Sequence, residues 1–372
     1  MLPSMRRLAL LLFSLLAFAF VTCAPKNALD TEQTPKSRYT GDVGESPVGV
    51  IPEGSIRDSA NNRELKISVD YPTRKGPHPL LIVSHTFGGA ARDYIGLSSY
   101  WASQGYVVVR PSHADAGRAT ASSRSMQDAW ESQTANDWRM RVQDVTFLID
   151  QLDLLEQTYP ELQGKIDRTK IGVAGHVHGA FTAMLLGGAR TFPGGTAYAD
   201  PRVKAIVAMS PPGPGATRGL TDQSWAELRT PALFITGTGE QGADETETTE
   251  WRRQAYNLSP AGDKWLLVLE GANHSAYTGR MGMPAEVRES IIDHDRDPTT
   301  DRGPLANPAP VAQPRDQRVR REDQAGLRVR GAYATVKALS LAFWDTYLRG
   351  DAEGRQALEA AGARGGVTLE RK

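Results

Sequence analysis

Cysteine is nearly absent: the 372 residues hold one, Cys23. No intrachain disulfide can form, so the fold must stand on burial and hydrogen bonding alone. Neither sign of charge is in surplus, since Lys plus Arg and Asp plus Glu both number 43. That balance argues against the basic surface that bulk nucleic-acid binding needs. The most conspicuous apolar stretch, Leu8 to Phe20, spans thirteen residues. That is too short for a comfortable membrane span, which takes about 20. No internal repeat and no H-E-x-x-H motif is present. Hydrophobic residues make up 40% and charged residues 23%, enough apolar material for a real core.

The N-terminus instead has the make-up of a targeting segment. Arg6 and Arg7 precede the apolar stretch, which ends in Phe20-Val21-Thr22-Cys23. This resembles a bacterial lipoprotein signal, in which the cysteine becomes the lipidated first residue; export with cleavage nearby is the alternative. Residues 1–23 are therefore expected as signal peptide and the polar residues 24–48 as linker. Residues 49–372 are expected as one domain, with a flexible insertion at 279–324. That insertion is charged and proline-rich, and its arginines (Arg315, Arg318, Arg320, Arg321) read as a solvated loop or a contact for anionic headgroups.

Within the domain the pattern is of strands and helices in alternation. Leu65, Ile67 and Val69 alternate after Ala60-Asn61-Asn62-Arg63, predicting an N-terminal antiparallel hairpin. The apolar run at 79–83 predicts a strand buried on both faces, those at 106–109 and 171–174 predict further buried strands, and strands are also predicted at 203–209, 232–236 and 265–269. Helices are predicted at about 93–104, at 137–159 ahead of Pro160, from about Gly179 through Leu186, and at 333–349 ahead of Gly350. The sum is an α/β fold with a mainly parallel central sheet and helices on both faces.

One stretch organises the rest, Thr169 to Arg190. Its strand stops at Gly175 and its helix opens near Gly179, the strand–turn–helix spacing of the nucleophile elbow G-x-S-x-G. Glycines four apart let strand and helix close so sharply that side chains would collide. The residue at the tip is Val177. Valine has no lone pair with which to attack a carbonyl. Positive φ is moreover an outlier for a β-branched residue, and strain of that kind costs about 1–3 kcal/mol. Either the turn has relaxed or the fold carries the strain without a nucleophile.

Four segments, LLIVSHTFGGAARDY, the elbow, LLVLEGANHSAY and FWDTYLRGD, occur in an order and spacing that resembles the α/β-hydrolase superfamily. The likeness is to its bacterial dienelactone-hydrolase-like group, close to the platelet-activating-factor acetylhydrolases, and it covers about residues 50–350. The resemblance implies an α/β-hydrolase fold and a carboxylic-ester hydrolase lineage. It implies that Val177 stands at the nucleophile position, where the family has serine. His274 stands at the general-base position, and Glu240, or alternatively Asp244, at the acid position. The backbone N–H groups of Phe87 and His178 would form the oxyanion hole. Thr86 replaces the usual first glycine of the oxyanion loop.

His85, His113, His176, His178 and His274 fall in segments expected to converge, which raises zinc as a substitute for the serine. With no ligand spacing to support it, no metal or cofactor is expected, and His85 and His176 match positions where the family packs histidine behind the loop. His178 is a poor substitute nucleophile, since its ring would have to point where the serine pointed. The expected partner is a small ester or lipid-like ligand, with membrane attachment through a lipidated Cys23 and no nucleic acid. The readings that follow are an exported hydrolase-fold protein unable to run the serine mechanism, an active esterase using another nucleophile or metal, or a variant of an active serine esterase.

Overall fold

The structure, a computed structural model, describes residues 37–117, 135–192, 196–215, 219–240, 247–277, 331–362 and 366–372. The expected signal peptide with Cys23, residues 118–134, Asp244 and the insertion at 279–324 lie outside the described residues.

Strands β1 (Val48–Asp58) and β2 (Arg63–Pro72) form the expected antiparallel hairpin. The apolar runs become β3 (His78–Ser84), β4 (Val107–Ser112) and β5 (Ile166–His176). A short ribbon follows, β6 (Arg190–Thr191) with β7 (Thr196–Ala197). Then come β8 (Val203–Met209), β9 (Ala232–Gly237), β10 (Lys264–Leu269) and β11 (Val367–Arg371). Nine of these make one sheet in the order β1-β2-β4-β3-β5-β8-β9-β10-β11. The inner run from β4 to β10 is parallel, while β2 meets β4, and β11 meets β10, antiparallel. The elbow strand β5 is therefore central, with parallel neighbours on both sides.

Period-two alternation explains the two-sided core. Leu80, Ile82, Val107 and Val109 join one hydrophobic cluster, and Leu81, Val83 and Val108 join another. Helices α2 (Ala135–Asp150), α3 (Leu152–Thr158), α4 (His178–Leu186) and α5 (Thr249–Asn257) contribute to the first. Helices α1 (Ile95–Ser103), α6 (331–344) and α7 (Ala352–Ala361) contribute to the second. Neither face is left to solvent, as continuous apolar strands require.

Three details differ from the sequence expectation. The helix expected over 137–159 is two, α2 and α3, because Gln151 leaves helical geometry at φ −106°, ψ 25°. Helix α7 and edge strand β11 follow Gly350, which ends the preceding π turn (Asp345–Arg349) in the left-handed region at φ 72°. Tyr39, within the expected linker, is buried and donates its hydroxyl proton to Asp345 at 3.1 Å. Among the described residues no helix is long and apolar enough to cross a membrane.

Candidate functional site

The site is built at the carboxyl end of the parallel strands, the usual ligand crevice of such sheets. Strand β5 ends at His176 and α4 begins at His178, so the turn between them is Val177 alone. Its backbone stands at φ 52°, ψ −100°. The turn has therefore not relaxed, and a β-branched residue occupies the left-handed half of the map. Two hydrogen bonds fix it: Val177 N–H donates to Met209 O at 3.0 Å, and Phe181 N–H donates to Val177 O at 2.9 Å. The glycines act as the spacing predicted. A Cβ on Gly175 would overlap the Gly179 carbonyl, and one on Gly179 would overlap the carbonyl oxygen of Ser84. The Val177 side chain is 1% exposed and belongs to the first hydrophobic cluster.

Beside the tip runs the loop after β3. Gly89 N–H closes a turn onto Thr86 O at 3.1 Å, and Gly88 supplies the positive φ (65°) that this turn requires. The Phe87 and His178 rings lie 5.5 Å apart. The two residues expected to supply anion-binding N–H groups are therefore neighbours.

Beneath this loop lies a polar cluster that the sequence reading did not assemble. Arg141 of α2 donates to His85 O (2.5 Å), Thr86 O (3.2 Å), Ser84 Oγ (3.3 Å) and Asp115 Oδ2 (2.5 Å). Asp115 also accepts from Gly88 N–H at 3.1 Å. Thr86 O accepts from His85 Nδ1 at 2.6 Å, so Nε2 is left to accept the His113 N–H at 3.0 Å. His113 Nδ1 meets Asp144 Oδ2 at 2.7 Å, and its Nε2 meets Ser84 Oγ at 2.9 Å. These distances order the chain: Ser84 O–H donates to His113, and His113 Nδ1–H donates to Asp144. The linkage is that of a hydroxyl, base and acid, but Ser84 Oγ is enclosed, with the residue 0% exposed.

Electrostatics keep both imidazoles neutral. Burial, then the Arg141 cation, pushes His85 well below the ordinary imidazole range. Burial and Arg141 also lower His113, outweighing the opposing pull of Asp144. Burial alone would raise the Asp115 carboxyl, but Arg141's charge and hydrogen bond hold it below the usual carboxylate range.

Across the elbow, Glu240 follows β9 and is 3% exposed. It forms an ion pair with Arg252 Nε at 2.9 Å and accepts from Tyr277 O–H (2.5 Å) and Gly237 N–H (3.1 Å). Arg252 also reaches Ser210 O at 3.0 Å and Glu247 at 3.4 Å. Burial and Glu240 raise the Tyr277 phenol well above its usual value, so it stays a donor. Tyr277 closes the short turn that His274 opens, and its ring lies 5.4 Å from His176. His176 in turn meets the Tyr94 hydroxyl through Nδ1 at 3.0 Å. The turn bearing His274 thus packs against the end of the elbow strand, while the His274 side chain itself lies outside the described residues.

Arg141, Asp144 and Arg252 were missed because charged helix residues read as solvated. A signal existed for the first two: Arg141 and Asp144 stand three apart and flank Val142 and Val145, inside the apolar stripe of α2. Among the described residues no group of three or more His, Cys, Asp and Glu is arranged to hold a metal ion. Neither a family model nor a curated protein sequence matches the chain.

Proposed function

We propose that this chain is an exported α/β-hydrolase-fold protein of carboxylic-ester hydrolase lineage that binds an ester- or lipid-like ligand without forming an acyl-enzyme. The observation that carries the reading is Val177 at φ 52°, held between the close-packed Gly175 and Gly179. A strained tip at the end of a central parallel strand is the frame that presents a nucleophile, and an aliphatic side chain occupies it. His274 would be the residual base, and the N–H groups of Phe87 and His178 would bind the ligand's carbonyl oxygen. Glu240 would serve as acid only through the turn that Tyr277 closes, since its carboxylate already meets Arg252 and Tyr277. The segment Arg6 to Cys23 supports export and lipid attachment at Cys23, which incorporation of labelled palmitate, lost in Cys23→Ala, would test.

The deciding experiment is Val177→Ser assayed on p-nitrophenyl acetate beside the unmodified chain. Hydrolysis appearing only in the variant is the expected result, and hydrolysis of equal rate in both overturns the proposal. A second reading, catalysis through another hydroxyl, draws on the Ser84–His113–Asp144 chain. It requires that a fluorophosphonate label the unmodified protein and that Ser84→Ala abolish the label. The enclosure of Ser84 weighs against it.

A further inference from the structure

The buried charges below the loop do more than fill space. Replacing a buried ion pair with apolar residues is often neutral or stabilising, so such a pair is weak support for stability as such. What separates Arg141 from an ordinary core ion pair is its choice of partners. A guanidinium presents five donors in a rigid fork. Here the fork is spent on two consecutive main-chain carbonyls, His85 and Thr86, and on the carboxylate that holds Gly88 N–H. A second main-chain bond, Gly117 N–H to Gly88 O at 3.2 Å, ties the same glycine to the segment that carries Asp115. The loop is therefore gripped on both sides of Phe87, at residues 85, 86 and 88. Phe87 N–H itself has no hydrogen-bond partner among the described residues. Arg141 is 1% exposed and cannot touch a ligand above the loop.

We propose that Arg141, acting with Asp115, is the positioning residue that aims the Phe87 N–H toward the elbow, and that the Ser84–His113–Asp144 chain braces it from behind. The aim matters only if that N–H binds a ligand oxyanion, so this inference rests on the function proposed above. Thr86 has fewer backbone states than a glycine would have, and the two carbonyl bonds to Arg141 select one of them. Ser84 Oγ accepts from Arg141 and donates to His113, which donates to Asp144. Asp144 is held in turn by Arg63 at 2.5 Å, so the brace ends on a second cation rather than in solvent.

The test uses the full chain in two backgrounds. In the unmodified protein, Arg141→Met should raise hydrogen exchange of amides 85–90 by at least about tenfold, the factor one hydrogen bond to a charged group is worth. Exchange in β8, β9 and β10 should stay unchanged. Arg141→Lys should fall between, because a point charge satisfies one carbonyl and not two. In Val177→Ser, adding Arg141→Met should lower kcat by about 10²-fold, the effect of losing one oxyanion donor, with KM moved less than about threefold. Exchange that rises equally through the sheet, or a change in KM alone, overturns the proposal. If Val177→Ser proves inactive, the proposed function fails, and the exchange arm still decides the clamp. If Arg141→Met does not fold, Asp115→Ala removes the acceptor of the Gly88 N–H together with one of Arg141's partners and should give the same local exchange signature; rigid 85–90 amides in that variant would also overturn it.

Discussion

The two flanks of the elbow each bury an arginine, and they use it differently. On the β3 side, Arg141 reaches main-chain carbonyls and one carboxylate that itself holds a main-chain N–H. On the β9 side, Arg252 takes one main-chain carbonyl and two carboxylates, Glu240 and Glu247, and Glu240 is further held by a phenol and by the Gly237 N–H. The first flank grips three points along one loop, whereas most bonds of the second join side chains to one another. The clamped loop on the β3 side therefore does not depend on the side chain at the tip, because none of its bonds ends on residue 177.

The sharpest way to break this contrast is Arg252→Met. It leaves two carboxylates, each under 5% exposed, without their shared cation. Removing one partner of a buried pair costs about 3–5 kcal/mol, and the urea unfolding midpoint should fall accordingly. The loop amides 85–90 should keep their exchange rates relative to global opening. A loss below about 1 kcal/mol would mean the β9 flank is not held by its charges.

Acid probes the β3 flank instead. His85 and His113 have folded-state values below the ordinary one near 6.5. As pH falls below about 6.5 the unfolded chain binds protons that the folded chain does not, so stability falls. Above that pH the contribution is complete. Denaturant midpoints at pH 7.5 and 5.5 should show this drop, and His113→Gln should remove part of it. Arg141 and Asp115 lie against His85, and Asp144 lies against His113 with Arg63 behind it. A midpoint that rises on acidification would place a charged imidazole in the fold and reverse the hydrogen-bond order of the cluster.

How much of this was legible varies with the physics of each signal. Strands buried on both faces announce themselves, since Leu80 to Val83 and Ala205 to Met209 leave no polar alternative. The elbow was legible because two glycines are demanded by steric overlap, and they are met at Gly175 and Gly179. Edge strand β11 was not, because Val-Thr-Leu-Glu-Arg is short and only partly buried. The break at Gln151 carries no proline or glycine to mark it. The charge clusters were hidden for another reason: Ser84 and Arg141 lie 57 positions apart in sequence, and their pairing is a product of topology. A local reading singled out Val177 at the turn, and Phe87 and His178, which the fold brings together, and it missed the charges packed beneath them.

The smallest effect concerns the tip itself, and it is read as a difference. Val173 and Val177 are both buried in the same hydrophobic cluster, at 0% and 1% exposure. Val173 is an interior residue of β5 paired to its neighbours, whereas Val177 stands at φ 52°. Val→Gly at either position loses a similar side chain, about 1.5–3 kcal/mol of burial. At 173 nothing compensates, and glycine in a strand adds roughly 0.5–1 kcal/mol of backbone entropy. At 177 glycine relieves strain of about 1–3 kcal/mol, so the two contributions nearly cancel. Val177→Gly should therefore shift the urea midpoint little, and cost about 1–3 kcal/mol less than Val173→Gly. Equal losses at the two positions would mean that the elbow holds no strain, and with it would go the argument that this turn still has the shape of a nucleophile's seat.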